Sequence, residues 1–166
     1  SFDCSDAYVD LIQILDRNRG LDRCRLHVFT SAGAYTNTLR KGNLLVTLKI
    51  FTCEGGTVDL PDPQFVLISR ENGGNLIVHP PRPVWERSEL TRTELMLWAF
   101  LVAATGRAML DVLPQLKGGC INYWEAGNWA LNDDAEPKGR KLPGDYRRVH
   151  LHLLGRSPAA TDPSCR

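Results

Sequence analysis

Two histidines, His150 and His152, stand two residues apart in the stretch RRVHLHLLGR, from Arg147 to Arg156. Val149, Leu151 and Leu153 alternate with Arg148, His150 and His152, which is the period of a β-strand. On a strand the two imidazoles project from one face, roughly 6.5–7 Å apart along the chain. The apolar residues take the other face and fix the register, because a slip of one residue would turn every leucine outward. Paired imidazoles on a rigid element suit proton transfer, metal binding or nucleophilic attack. Arg148 falls on the same face, where its guanidinium would bind a phosphate through two hydrogen bonds.

The rest of the chain must hold that strand in place. With 166 residues and a hydrophobic fraction of 43%, it has the size and core of one domain. A net charge of +1, with no run of basic residues, argues against a nucleic-acid footprint. No apolar run reaches transmembrane length, so no membrane partner is expected. The first residues carry no basic region followed by an apolar stretch, so no signal peptide is expected either. The five cysteines form no CxxC pair and read as reduced thiols of a cytoplasmic protein.

Along the chain, the spacing predicts a helix over 6–17 and a short strand over 25–30 that carries His27. Strands follow at 44–52 and 65–70, the latter turning at Asn72-Gly73 into a returning strand at 75–79. Gly55 and Gly56 mark a turn, and Asp59 to Pro63 a polar bend. Thr91 and Glu94 form a capping box at the head of a long helix, whose Leu95, Trp98, Leu101, Val102, Thr105, Met109 and Val112 recur at helical spacing up to Pro114. A strand at 120–124, a polar loop at 125–146 and the histidine strand complete the order, and 157–166 reads as a loose tail. Hairpins without βαβ alternation give an α+β fold with a mainly antiparallel sheet and a long central helix.

Four segments, in this order, resemble the histidine triad (HIT) superfamily. They are FVLISRENGGNLIVHPPRPVW, SELTRTELMLWAFLVAATGRAM, INYWEAGNWALN and Arg148-Val-His150-Leu-His152-Leu-Leu154. The last fits the family's H-φ-H-φ-H-φ-φ motif except that arginine stands in the first position. The resemblance covers 65–156 of a single domain spanning 1–166, with 1–62 as an added N-terminal helix and strand segment. It implies a nucleotide hydrolase or nucleotidyl transferase without cofactor. His150 would attack the α-phosphorus of a nucleotide or dinucleotide to form a phosphohistidine intermediate, and His152 would position the phosphate. Asn122 and Asn128 match positions that contact phosphate or orient the histidine, Asn128 standing where glutamine is usual. The resemblance also implies a homodimer paired through the central helix and a sheet edge.

Two other readings stand beside this one. One is a nucleotide-binding protein without catalysis, because arginine cannot act as a general acid near neutral pH. The other is a metal-binding HxH protein, with a third ligand drawn from His79, Glu125 or Cys120. Residues 132–147, longer than the family's usual spacing, suggest a lid or an interaction surface. There Lys138, Arg140, Lys141 and Arg147 would suit a polyphosphate tail, while the acidic residues among them blunt that role. Trp124 and Trp129 flank the proposed phosphate loop and suit either base stacking or packing.

Overall fold

The computed structural model describes residues 48–61, 67–69, 71–125, 127–163 and 166. The expected N-terminal helix, the strand at 25–30 with His27, and Cys4, Cys24 and Cys165 lie outside the described residues.

Among the described residues, five antiparallel strands form an open sheet in the order β1-β2-β3-β5-β4. They are β1 (Leu48–Cys53), β2 (Gly56–Leu60), β3 (Asn75–His79), β4 (Cys120–Trp124) and β5 (Leu151–Arg156). One long helix, α1 (Arg92–Val112), lies against one face, and a single helical turn, α2 (Pro143–Tyr146), precedes the histidines. The α+β class and the antiparallel sheet are as the sequence implies.

Helix α1 begins where its capping box predicts. Thr91 Oγ1 accepts from Glu94 N at 3.2 Å, and Glu94 Oε2 accepts from Thr91 N at 2.8 Å. Arg82 donates to the same carboxylate, and these hydrogen bonds hold the Glu94 carboxyl at about 2. The helix buries Trp98, Leu101, Thr105, Gly106, Ala108 and Met109. Opposite them, Val58, Leu76, Val78 and Leu153 are wholly buried on the sheet. By length and hydropathy α1 alone among the described residues qualifies to cross a membrane, but this packing makes it the core helix of the domain.

Four local expectations change. Gly56–Leu60 is a strand rather than a turn and a polar bend; its Val58 and Leu60 are buried, while Thr57 and Asp59 alternate outward. Leu67–Ser69 lies in a bend rather than a hairpin strand, and β3 pairs with β2 and β5. There Ser69 O gathers the backbone N–H groups of Asn72, Gly73 and Gly74. Residues 157–163 are docked, not loose. Asn72 Oδ1 accepts from Thr161 N, Thr161 Oγ1 and Asp162 N, and Ala160 is buried with Ile68 and Leu154.

The fourth change bears on the site. The histidine strand begins at Leu151, not Arg147. After His79 the neighbouring chain runs into Pro80, Pro81 and Pro83, which have no N–H to offer a ladder. Val149 N donates instead to Val84 O at 2.9 Å, so residues 147–150 follow a path set by the proline segment.

Candidate functional site: a histidine cluster on the open face

The register assembles the site. Asp59 pairs with Ile77, Ile77 with His152, and His152 with Trp124, so these four residues form one row across β2, β3, β5 and β4. The row lies on the face away from α1. The next row places His79, paired with Thr57, beside His150. Three of the chain's four histidines thus meet on one surface, at the ends of two adjacent strands.

His150 and His152 come together as the alternation implies. Their Nε2 atoms lie 3.1 Å apart and their ring centroids 4.9 Å apart. His150 Nδ1 lies 2.8 Å from Arg148 O. A carbonyl oxygen only accepts, so Nδ1 carries a hydrogen and the neutral ring keeps its lone pair on Nε2. Burial, then the neighbouring His150 and His79, push the His152 imidazole down to about 4. His152 is therefore neutral at physiological pH, and its Nε2–H donates to His150 Nε2. His152 Nδ1 is then a bare acceptor, buried without a hydrogen-bond partner.

This neutral ring gives the fold an acid sensitivity. The unfolded chain takes up a proton at His152 near 6.5, whereas the folded chain resists until about 4. Between those values protonation favours the unfolded chain, so stability falls as pH falls across that window. Solvent reaches this half-buried ring, which limits the loss to about 1–2 kcal/mol. His152→Gln is expected to lose less stability than the unaltered protein between pH 7 and 4.5 in urea titrations. Equal losses would refute this.

Beyond His152, the Trp124 ring lies with its centroid 5.4 Å from the imidazole. A groove of about 550 Å³ opens there, lined by Asn122, Trp124, Leu154, Arg156 and Leu67 among others. Asn122 lines it from β4, opposite Leu154. Asn128 is exposed at the start of a 3₁₀ turn, Asn128–Leu131, and no hydrogen bond joins it to the histidines among the described residues.

Arg148 departs from its expected place. Its Nη1 donates to Arg147 O at 2.6 Å and to Gly144 O at 3.2 Å, toward α2. Because the residue precedes the strand, the period of two does not govern where its side chain goes. Two of the basic residues suited to a polyphosphate are also committed elsewhere. Lys141 is buried and donates to Asn132 O and Gly139 O. Arg147 bridges the carboxylates of Glu86 and Glu125, and Arg87 holds Glu125 from the other side. Gly127 lies under the Arg147 guanidinium, where a Cβ would collide. Residues 132–147 are thus pinned at both ends.

The metal reading keeps one favourable feature. Two imidazole nitrogens 3.1 Å apart match two corners of a tetrahedral zinc site. Among the described residues, however, no three His, Cys, Asp or Glu side chains converge to hold a metal. Glu125 is engaged by two arginines, and Cys120 lies at the far end of β4, opposite Arg156.

Sequence reasoning offers His79 only as a candidate metal ligand and places Asp59 in a polar bend with no role at the site. The detectable signal was the pairing of 75–79 with the histidine strand, which sets His79 beside His150. Comparison with known proteins finds no match among family models, curated proteins or solved structures.

Proposed function

We infer that this protein acts on the α-phosphate of a nucleotide or dinucleotide through a phosphohistidine intermediate at His150, as a hydrolase or nucleotidyl transferase of the HIT type. The observation that carries the reading is the tautomer of His150. Arg148 O holds the hydrogen on Nδ1, which leaves the lone pair on Nε2, where it accepts from the Nε2–H of a neutral His152. A phosphate entering there displaces His152 Nε2–H from the lone pair and receives that hydrogen bond itself. The same donor then opposes charge developing on the phosphoryl oxygens. Attack by nitrogen divides one displacement into two easier ones. The groove beside Trp124, which Arg156 also lines, offers an aromatic face to the remainder of the substrate.

The test is release of nucleoside monophosphate from a panel of nucleoside phosphoramidates and dinucleoside polyphosphates. Turnover of at least one class is expected, with an acid-labile nucleotidyl-protein adduct captured on quenching. Mononucleotide binding without release from any substrate would support a second reading, a nucleotide-binding module. The observation favouring that module is the Arg148 side chain turned toward Gly144 and Arg147. A cytoplasmic location fits either reading. We further propose that two copies pair through α1, whose Leu95, Met96 and Phe100 are 41%, 49% and 61% exposed.

A further inference from the structure

A phosphohistidine route needs a proton for any leaving group poorer than a phenolate, and neither residue next to His150 in the motif supplies one. Arg148 stays protonated near neutral pH, and its guanidinium is bound to backbone carbonyls. His152 is neutral, and its Nε2–H is committed to the lone pair of His150 or to the phosphate. A third imidazole stands at the same surface. The His79 ring centroid lies 5.5 Å from that of His150, with the planes tilted by 34°. His79 Nε2 lies 3.3 Å from Asp59 Oδ2 on the neighbouring strand. A carboxylate only accepts, so Nε2 carries a hydrogen in both charge states of the ring. Proton exchange at His79 therefore takes place at Nδ1 alone.

Asp59 has no other evident task. Its Oδ1 is buried without a hydrogen-bond partner, and His79 is the one ion-pair partner it has among the described residues. A partly buried carboxylate is costly unless it is paired, and the group it faces is an imidazole that can carry the matching charge. The backbone fixes the pair. Asp59 and His79 are diagonal neighbours across the β2–β3 ladder, in which Asp59 pairs with Ile77 and Thr57 with His79.

We propose that His79, oriented by Asp59, is the general acid and base of this site. The assignment rests on the phosphohistidine reading above. In the first step His150 Nε2 attacks phosphorus, the bond from phosphorus to the leaving oxygen or nitrogen breaks, and the proton on His79 Nδ1 passes to that leaving atom. In the second step water attacks phosphorus, the phosphorus–nitrogen bond returns its electron pair to His150 Nε2, and a proton of the water passes to His79 Nδ1. His79 ends as it began. This assigns a catalytic role to a residue outside the HxH motif, and a positioning role to Asp59.

The test compares two leaving groups. Nucleoside 5′-monophosphate p-nitrophenyl esters leave without a proton, whereas the corresponding alkyl phosphoramidates need one. Followed as release of the leaving group in a single turnover, which precedes the shared hydrolysis step, His79→Gln is expected to lose about 10²-fold or more in rate on the alkyl phosphoramidate, while the p-nitrophenyl ester changes by only a few-fold. Turnover of that ester also shows that the variant is folded. Asp59→Asn is expected to show the same selectivity with a smaller loss. An equal loss on both substrates, or no loss on either, would overturn the role of His79 and leave the His150 route standing. Absence of turnover by the unaltered protein on either substrate would overturn both.

Discussion

His150→Ala is expected to abolish nucleotide release, with kcat falling by at least about 10⁴-fold, some 5 kcal/mol of transition-state stabilisation. The size of the effect follows from the geometry. On the proposed route the lone pair on His150 Nε2 is the nucleophile, and its direction is set by the Nδ1–H bond to Arg148 O. Water at the vacated position lacks both the fixed orientation and the nitrogen nucleophile. The fold is expected to survive, because His150 precedes β5 and the buried Val149 and Leu153 that hold the segment are untouched. Mononucleotide affinity measured by calorimetry should change by only a few-fold, since the groove beside Trp124 remains. A variant that kept turnover within tenfold of the unaltered protein would sink the phosphohistidine route.

Gly56→Ala is expected to destabilise the protein by about 3–5 kcal/mol, a large fraction of the about 5–15 kcal/mol that holds a typical domain folded. Gly56 has φ of +131°, a conformation that residues with a Cβ rarely adopt. A Cβ there would also collide with the backbone carbonyl of His79 and lie 3.0 Å from Pro80 C. Neither obstacle is the end of a flexible side chain, so the β2–β3 ladder itself would have to shift. Gly118→Ala separates the two costs. Gly118 has φ of +75° with nothing within 4 Å of a Cβ, so only the conformational cost of about 1 kcal/mol remains. Urea unfolding of both variants measures the difference. Similar midpoints would show that the contact with His79 has no energetic weight.

That glycine marks the limit of what the sequence discloses. The long helix is legible to the residue at its start, because Thr91 and Glu94 carry a reciprocal cap that little else imitates. The paired histidines are legible for a similar reason: alternation over Val149, Leu151 and Leu153 is a signal with a face attached. Strand β2 is not legible. Its GTVDL offers two buried apolar residues, Val58 and Leu60, between a glycine pair and a proline, so turn chemistry outweighs a short alternation. With β2 unrecognised, Asp59 had no neighbour and the Asp59–His79 pair was invisible. Arg148 was misplaced because the strand stops where proline removes the ladder's donors, and that consequence belongs to another segment of chain. Local pattern thus locates side chains along one element. The partner strand decides which of them meet.

The order of strands also governs when the site can exist. β5 is the last strand, yet it sits in the interior of the sheet between β3 and β4, and its partner β3 precedes the whole of α1 and the long loop. Closing that ladder joins residues far apart along the chain, which makes it a slow, late event compared with forming the helix or the β1–β2 pair. Until then His79 and Asp59 face an empty edge, and His150 has neither neighbour. The chemistry proposed for this surface therefore depends on the β3–β5 ladder being closed, because only that pairing sets His79 beside His150.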